Sequence, residues 1–246
     1  MNDSNVLAAW VELEGCFNFR DLGGYRSADG RRFRTGLVFR SDGLQFLTSA
    51  DLEKLAGEVE LGHVIDLRSD EEVEEIGRGP IADQVAVHSI PLFGHVSRGS
   101  GFKRPSDMGE LYFMMLSLAQ QPIAEVVRLL VELQEPAVFH CAAGKDRTGV
   151  ISAVLLSLAG IPEETVIADY SFSRQNIDEI NRRLGEADTY QRFMNEMPEG
   201  ASDADPACME GFLSRVREHH GSVEGWAEQA GLDGDLIERL RQKLLD

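Results

Sequence analysis

The sequence predicts an α/β fold: a single domain over residues 1–246, with a mostly parallel central sheet flanked by helices and a helical C-terminal part. Short apolar runs that suit buried strands alternate with helical patterns up to about residue 160. After Pro162 the pattern is helical almost to the C-terminus, with breaks at glycines and prolines. The chain has 246 residues, of which 43% are hydrophobic. That is enough for one sizeable core, and no linker is long enough to separate two domains.

The N-terminal half is predicted to contain strands, turns and two short helices. Residues Asn18–Arg40 alternate in short runs between glycine-rich turns, which indicates strands. Thr48 has the character of an N-cap, so a helix should follow it to about Gly57. The other elements expected here are a buried strand at His63–Asp66, an acidic helix opening at Asp70–Glu75 and a strand at Val85–Leu92 that stops at Pro91.

The C-terminal half is predicted to be mainly helical around one strand. A polar, glycine-rich segment at Arg98–Asp107 indicates a loop. The elements expected after it are helices at Leu111–Gln120 and Ile123–Gln134, a short strand at Ala137–Phe139, a long apolar helix from Thr148 and a final amphipathic helix at Leu232–Leu245.

The composition excludes several classes of protein. A formal net charge of −18 argues against a nucleic-acid partner and against a polybasic membrane surface. The longest mostly apolar stretch, Val150–Ile161, is too short to span a bilayer, so we expect no transmembrane segment. The N-terminus lacks the features of a signal peptide. We therefore expect a cytoplasmic protein, the alternative being export without a recognisable signal.

The cysteines suit neither a disulfide framework nor a metal site. There are three, Cys16, Cys141 and Cys208, and they are far apart in the sequence. An odd, sparse set of this kind is typical of a reducing compartment, and no pair has the spacing of zinc ligands. We expect no metal and no cofactor.

One segment carries the residues of a chemical site: it runs from His140 to Gly149 and reads HCAAGKDRTG. A cysteine followed six residues later by an arginine is a weak signal by itself. Here it lies between a predicted strand and a predicted helix, with a histidine before the cysteine, a glycine at the centre of the loop and a threonine after the arginine. This combination makes a chance match very unlikely.

The physical chemistry of this segment points to phosphate. Backbone N–H groups of a loop that enters a helix N-terminus, here those of Ala142, Ala143, Gly144 and Lys145, can point inward and cradle an anion. Arg147 can bind two phosphate oxygens with its planar fork. The same positive surroundings favour the thiolate of Cys141, which faces the bound phosphate as an in-line nucleophile and would form a phosphocysteine intermediate. Thr148 can hydrogen-bond the sulfur and stabilise it as a leaving group.

A Walker A loop and a purely structural cysteine both fit this segment less well. A Walker A loop would need a glycine where the chain has Phe139 and a serine or threonine where it has Asp146. If Cys141 were only a small buried hydrophobic residue, nothing would require the histidine, glycine, arginine and threonine that surround it.

These residues resemble the signature loop of the Cys-dependent protein tyrosine phosphatase superfamily, and the GKDRTG form resembles the bacterial PtpB-type tyrosine/lipid phosphatases. Four further segments resemble blocks of the same family: Asn18–Tyr25, Leu37–Ser41, Val64–Ser69 and Ala168–Tyr170. The resemblance covers most of the chain and implies a protein tyrosine phosphatase-like sheet with flanking helices, a supporting role for His140 and no metal. Members of the family can carry a helical lid, and the matching stretch here, Gly99–Ala119, looks shorter.

Three aspartates are candidates for the general acid that protonates the leaving oxygen. Asp146 lies inside the loop, where similar loops carry the proposed acid, and its structural alternative is a salt bridge that orients Arg147. Asp66 ends a predicted strand, where the family keeps a pocket aspartate, and it could instead be a cap or a partner of an arginine. Asp107 lies on the predicted loop and is the weakest candidate.

Other charged residues have both a functional and a structural interpretation. Lys145 could recognise a second phosphate or an acidic peptide, or it could be a solvated lysine at the rim. Arg20, Arg40 and Arg68 suit inner ion pairs at least as well as substrate contacts. Cys16 could form a protective disulfide with an oxidised Cys141, or it could be a small buried residue. These alternatives remain open from sequence alone.

The sequence therefore predicts a phosphomonoester hydrolase, most consistent with a protein tyrosine phosphatase whose substrate is a phosphorylated protein. The alternatives are a dual-specificity or phosphoinositide phosphatase, and an inactive phosphate-binding module of the same fold. Nearly all of the acidic excess lies in residues 51–80 and 161–246, so we expect a positive pocket in an acidic body. The oligomeric state cannot be read from the sequence.

Overall fold

The computed structural model describes residues 9–92, 105–198 and 200–246. Within these ranges the chain forms one six-stranded sheet in the order β1-β2-β3-β6-β4-β5. The strands are β1 (Ala9–Trp10), β2 (Arg20–Asp21), β3 (Val38–Ser41), β4 (His63–Asp66), β5 (Ala86–Ser89) and β6 (Ala137–His140). Strands β3, β6, β4 and β5 pair in parallel, while β1 and β2 are antiparallel additions at one edge. The predicted mostly parallel sheet is confirmed.

Helices flank the sheet and make up most of the C-terminal part, as predicted. In the described ranges they are α1 (Ser49–Gly57), α2 (Asp70–Ile76), α3 (Met108–Leu118), α4 (Gln120–Glu132), α5 (Asp146–Leu158), α6 (Glu163–Phe172), α7 (Ile177–Leu184), α8 (Asp188–Glu196), α9 (Pro206–His220), α10 (Val223–Gln229) and α11 (Gly234–Leu244). No single one of these described helices has the length and hydropathy to cross a bilayer, and α3 and α4 reach them only together, across a 75° bend.

Most predicted elements are present, with bounds that differ by a few residues. Helix α1 begins after Thr48, whose side chain accepts from the N–H of Asp51 in a reciprocal capping box. Strand β5 is shorter than the predicted Val85–Leu92, because β4, its neighbour among the described strands, has four residues to pair with. Helix α5 begins two residues before the predicted start at Thr148. Of the predicted loop, residues 98–104 lie outside the described part of the chain.

The sheet separates two layers of core because successive strand residues face opposite sides. Val38, Ile65 and Phe139 point to the side of α3, α4 and α5 and belong to the larger hydrophobic cluster. Their neighbours Phe39, Val64 and Val138 point to the side of α1 and form the smaller cluster. Helix α5 is buried on nearly all of its faces, which explains why its sequence is apolar throughout.

The parallel strands bring three chain segments together at one edge of the sheet. Ser41 at the end of β3 and Asp66 at the end of β4 both lie in register with His140 at the end of β6. The carboxyl ends of parallel strands are where α/β proteins place their sites. Cys141 follows His140 directly and therefore lies at this edge.

Helices α3 and α9 approach each other at a pair of glycines. A Cβ atom added to Gly109 would lie 2.9 Å from the carbonyl carbon of Gly211 and 3.0 Å from its Cα. Contacts this short with backbone atoms are avoided in packed interiors, so the close approach of the two helices requires glycine at position 109.

We expect Gly109→Ala to lower the free energy of unfolding. Overpacking costs about 1–3 kcal/mol, which exceeds the gain of up to about 1 kcal/mol from replacing glycine within a helix. Urea denaturation measures the change. The control is Gly234→Ala at the start of α11, where a Cβ would meet nothing within 4 Å and stability should stay equal or rise slightly. Equal stability of the two variants would contradict this account of the α3–α9 contact.

Candidate active site

The candidate site is the turn between β6 and α5 together with the first two residues of α5, here called the cysteine loop (residues 141–147). Strand β6 ends at His140 and α5 begins at Asp146, so Cys141 and the four residues after it make the whole turn. Cys141 is buried, with 2% of its surface exposed. The loop is short because a buried strand and a buried helix fix both of its ends.

Four consecutive carbonyl groups of the cysteine loop accept hydrogen bonds from the surrounding scaffold. His140 Nδ1 donates to the carbonyl of Cys141 at 3.1 Å, and the N–H of Gly43 donates to that of Ala142 at 2.8 Å.

Asn18 Nδ2 donates to the carbonyl of Ala143 at 3.3 Å and to that of Gly144 at 3.1 Å. The Gly144 carbonyl also accepts from Arg40 Nη2 at 2.8 Å. Every one of these peptide groups is therefore held from its carbonyl side.

The orientation of the carbonyls fixes the orientation of the N–H groups. In a planar trans peptide the C=O of one residue and the N–H of the next point in opposite directions. The four bound carbonyls therefore turn the N–H groups of Ala142, Ala143, Gly144 and Lys145 to the inside of the loop, which continues into the N-terminus of α5. This is the geometry that the predicted anion cradle requires.

Gly144 cannot be replaced in this loop without strain. Its φ is +67°, in the left-handed region that favours glycine. A Cβ at this position would also lie 2.4 Å from the carbonyl oxygen of Ser41. The glycine allows the loop to lie directly against the end of β3.

A buried ionic network braces the loop from behind. The carboxylate of Asp169 on α6 accepts from Arg20 Nε at 3.2 Å and forms an ion pair with Arg40, with all three side chains almost completely buried. Arg20 also bonds the Asn18 side chain, whose amide holds the loop carbonyls. Burial and the neighbouring Arg40 lower the pKa of Arg20 to about 10, so it is still charged near neutrality. The prediction that Arg20 and Arg40 are inner ion-pair partners is confirmed.

Arg147 is held by an acid that no motif in the sequence singles out. Its Nη1 and Nη2 donate to the two carboxylate oxygens of Glu72 at 2.6 and 2.7 Å, a bidentate pair. Glu72 also accepts from the N–H of Ser69, closing the capping box of α2. Burial alone would raise the pKa of Glu72, but Arg147 and Ser69 lower it to about 2. The pattern Ser-x-x-Glu at positions 69–72 is visible in the sequence, but nothing local connects it to Arg147.

Asp146 lies at the first position of α5, five residues after Cys141. Its Oδ1 accepts from the hydroxyl of Tyr112 at 2.7 Å and lies 2.9 Å from Lys145 Nζ. The alternative in which Asp146 orients Arg147 through a salt bridge does not match this geometry, because Glu72 has that role. Tyr112 comes from α3, and no motif identified it.

The contacts of Lys145 match neither of the two interpretations that the sequence allowed. It is 1% exposed, so it is not a solvated lysine at the rim. Its Nζ donates to the carbonyls of Ala201 and Asp203 at 2.7 and 3.1 Å and pairs with Asp146. All three contacts are inside the protein, so in this conformation the ammonium group is not presented to a second phosphate. These contacts do not support a phosphate-binding role for the Lys145 side chain, whereas its backbone N–H has the orientation that the predicted cradle requires.

Asp66 lies one layer behind the loop and matches its structural alternative. Arg68 Nε and Nη2 bind its two oxygens at 2.9 and 2.8 Å, and His140 Nε2 lies 3.7 Å from Oδ1. Burial acts to raise the pKa of Asp66, but the groups around it, including His140 and Arg68, lower it to about 2. Burial lowers the pKa of His140 to about 4, so the imidazole is neutral and its Nδ1–H supports the loop.

Two further expectations are corrected by side-chain contacts. Thr148 Oγ1 is buried and, among the described residues, has no hydrogen-bond partner, so the expected bond to the Cys141 sulfur is not formed. Asp107 is the N-cap of α3, where it accepts from the N–H of Glu110, and it pairs with Arg215 of α9 at 2.7 Å. These contacts explain Asp107 as a cap and leave no role for it as the acid.

Cys16 behaves as a small buried residue. Its thiol donates to Asp42 Oδ1 at 2.6 Å and lies 2.7 Å from Ser41 Oγ. Burial and the charge of Asp42 raise the pKa of the Cys16 thiol, which makes it a poor nucleophile. Cys16 and Cys141 are both free thiols in this structure.

Helices α7 and α8 cover the loop. The methyl groups of Ala142 and Ala143 pack with Ile180 and Leu184 of α7 and with Tyr190 of α8. The expected lid region Gly99–Ala119 does not provide this cover in its described part. Residues 99–104 lie outside the described chain, and α3 runs through the core, with its buried residues Tyr112, Met115 and Leu116.

The comparisons with known proteins agree with this geometry. The sequence profile of the tyrosine phosphatase family matches residues 11–246. The chain belongs to the tyrosine phosphatase family.

Relatives within this family cover much of the chain. It is 28% identical to the triple specificity protein phosphatase PtpB of Mycobacterium tuberculosis over an alignment of 278 positions. The alignment covers 95% of this chain and 98% of that protein. The chain is 29% identical over 222 residues to a tyrosine-protein phosphatase of Nostoc commune, which covers 83% of this chain and 73% of that protein.

We expect the Glu72–Arg147 pair to contribute to acid stability. The pKa of Glu72 falls from an ordinary 4.5 to about 2 on folding. The stabilisation is therefore complete above about pH 4.5 and is lost as the pH falls toward 2. Urea denaturation at several pH values measures the free energy of unfolding. In Glu72→Gln this free energy should fall less steeply between about pH 4.5 and 2, here called the acid limb, than in the unmodified protein.

The matched control is Glu71→Gln on the same helix. Glu71 pairs with Arg192 at the surface, where ion pairs contribute little. Its acid limb should follow that of the unmodified protein. If Glu72→Gln also followed it, the buried pair would not be coupled to folding as described.

Proposed function

We propose that this protein is a phosphomonoester hydrolase of the protein tyrosine phosphatase type, with Cys141 as the nucleophile. The observation that carries the proposal is the set of four loop carbonyls held outward by the scaffold. They turn four N–H groups to the inner side of the turn that begins at Cys141 and continues into the N-terminus of α5. A dianionic phosphate group fits such a cradle, and a thiolate at its base is placed for in-line attack.

The first chemical step transfers the phosphoryl group to the enzyme. The Cys141 thiolate attacks phosphorus, and the bond between phosphorus and the ester oxygen breaks. The leaving oxygen takes the electron pair of that bond and a proton from Asp146. The product alcohol or phenol departs, and the phosphoryl group remains on sulfur.

The second step returns the enzyme to its starting state. Asp146, now a carboxylate, accepts a proton from a water molecule as the water attacks phosphorus. The phosphorus–sulfur bond breaks, the electron pair returns to the Cys141 sulfur, and inorganic phosphate is released. The cradle N–H groups stabilise the charge on the equatorial oxygens in both steps.

The contacts of the two aspartates support Asp146 as the acid rather than Asp66. Both oxygens of Asp66 are bound by the fork of Arg68, an arrangement that favours the carboxylate and leaves no place for a transferable proton. Asp146 adjoins the cradle and is engaged through one oxygen. Asp66 therefore belongs to the scaffold behind the loop, where it pairs with Arg68.

The charges around the loop support recognition through backbone dipoles. Lys145 is paired with Asp146 and Arg147 with Glu72, so the loop does not gain a large net positive charge from its cations. This differs from the expected positive pocket. The potential that attracts phosphate comes mainly from the N–H groups and from the helix N-terminus, which remain oriented whatever the charge of the protein surface.

A phosphotyrosine residue in a protein is the substrate that we propose, with phosphoserine and phosphoinositide substrates as the alternatives. The name of the M. tuberculosis relative states a triple specificity for that protein. A panel of a phosphotyrosine peptide, a phosphoserine peptide and phosphoinositide vesicles, compared by kcat/KM, separates the three. A clear preference for either alternative would replace phosphotyrosine as the proposed substrate.

We expect Cys141→Ser to abolish hydrolysis of aryl phosphates, because serine lacks a comparably stable anionic nucleophile. Acid quenching of the unmodified enzyme during turnover, followed by mass spectrometry, should locate a phosphoryl group on Cys141. Cys208→Ser, a change at a half-buried cysteine of α9, is the control and should retain activity. An inactive unmodified protein that still binds phosphate would support the binding-module alternative instead.

The two aspartates differ in their expected effect on pH dependence. Asp146→Asn should remove the loss of kcat/KM at high pH, since that limb reports deprotonation of the acid. Asp66→Asn should keep the limb and lower stability, because Arg68 would lose its buried partner. The opposite pattern in the pH–rate profiles would transfer the acid role to Asp66.

A further inference from the structure

A chain of buried hydroxyl groups leads from the core to Asp146. The hydroxyl of Tyr112 lies 2.7 Å from Asp146 Oδ1 and 2.7 Å from the hydroxyl of Tyr170. Tyr112 is completely buried in α3, and its ring makes edge contacts with Tyr170 and Phe212. Neither tyrosine belongs to the motif that identified the site, and the reaction steps above do not use them.

The direction of the hydrogen bonds along this chain is fixed by proton counting. A tyrosine hydroxyl has one proton to donate. Tyr112 donates it to the carboxyl of Asp146, so the bond between the two hydroxyls must be donated by Tyr170. Burial raises the pKa of both tyrosines, and the charge of Asp146 raises it further, so both keep their protons.

The same counting distinguishes the two oxygens of Asp146. Oδ1 receives the Tyr112 hydroxyl and lies 2.9 Å from the Lys145 ammonium group. A proton on Oδ1 would face two donors, which is unfavourable. Neither of these two contacts involves Oδ2, the other oxygen of the Asp146 carboxyl group. The proton of a neutral Asp146 therefore belongs on Oδ2.

We propose that Tyr112 is a positioning residue for the general acid: together with Lys145 it anchors Oδ1 of Asp146, so that Oδ2 carries the proton that the leaving oxygen receives. The inference rests on the proposed function. In the forward step the proton passes from Oδ2 to the leaving oxygen while the phosphorus–oxygen bond breaks. In the hydrolytic step Oδ2 takes a proton back from water. Without the Tyr112 hydroxyl the carboxyl group can rotate, and proton transfer loses its alignment.

Leaving-group sensitivity separates this role from a structural one. Phenyl phosphate releases a poor leaving group that needs the proton, whereas nitrophenyl phosphate releases a much more acidic phenol that needs it little. The ratio of kcat/KM for the two substrates is the readout, because kcat/KM covers the step in which the ester bond breaks. A partly unfolded preparation lowers both values equally, so the ratio does not depend on the folded fraction.

We expect Tyr112→Phe to lower kcat/KM for phenyl phosphate about tenfold, the effect of losing one hydrogen bond to a charged group. Asp146→Asn should lower it roughly a hundredfold. Both variants should lower kcat/KM for nitrophenyl phosphate by less than about threefold. The matched control is Tyr170→Phe, which removes the neighbouring hydroxyl; among the described contacts this hydroxyl bonds Tyr112 and forms no hydrogen bond with Asp146. Its substrate ratio should stay close to that of the unmodified enzyme.

The outcomes distinguish this inference from the proposed function. Equal losses on both substrates in Tyr112→Phe, or no loss on either, would overturn the positioning role. If Tyr170→Phe changed the ratio of kcat/KM for the two substrates as much as Tyr112→Phe does, the positioning role would be overturned as well. If Asp146→Asn had an unchanged ratio while Cys141 remained essential, the acid would lie elsewhere and the inference would fail although the phosphatase stands. If the unmodified protein hydrolysed neither substrate, the proposed function itself would fail.

Discussion

The geometry of the cysteine loop depends on one buried carboxylate, that of Asp169. It joins Arg20 and Arg40, which come from neighbouring antiparallel strands, and it stands on a helix that follows the loop in the chain. Arg40 continues the network to the Gly144 carbonyl, and Arg20 continues it through Asn18. A buried ion pair is a weak source of stability because desolvation offsets the attraction. Here the network fixes directions: planar guanidinium groups and an amide pull the loop carbonyls outward.

That network also gives a physical basis for the proposed binding of an anion by an acidic protein. The cations nearest to the loop are paired with Asp146 and Glu72. Within the part of the chain that the structure describes, no carboxylate accepts a hydrogen bond from these peptide N–H groups, and their direction is imposed by the bonds on the carbonyl side. Local dipoles in a buried site act at short range in a low dielectric, whereas surface charges are screened by solvent and salt. The net charge of the chain is therefore a poor guide to the site.

The sequence predicted those parts of the fold that depend on neighbouring residues. The N-cap at Thr48, the strand at His63–Asp66 and the strand–loop–helix around Cys141 follow from local spacing and are present in the structure. Burial was harder to predict. Lys145 lies in a loop motif that suggests exposure, yet the carbonyls of Ala201 and Asp203 enclose its ammonium group. Asp107 looked like a loop aspartate and is a helix cap, because α3 begins earlier than its apolar pattern indicates.

The sequence by itself determined the family and singled out the proposed nucleophile and cradle, because their residues are ten consecutive ones whose chemistry is local. The tertiary structure decided the partners. Glu72 reaches Arg147 from 75 residues away, Tyr112 reaches Asp146 from 34, and Asp169 reaches Arg20 from 149. A hydrogen bond requires two side chains to meet within about 3 Å, and only packing of the strands and helices brings distant segments that close. Sequence spacing carries no record of that distance, so the residues that hold the site in place became visible only in the folded chain.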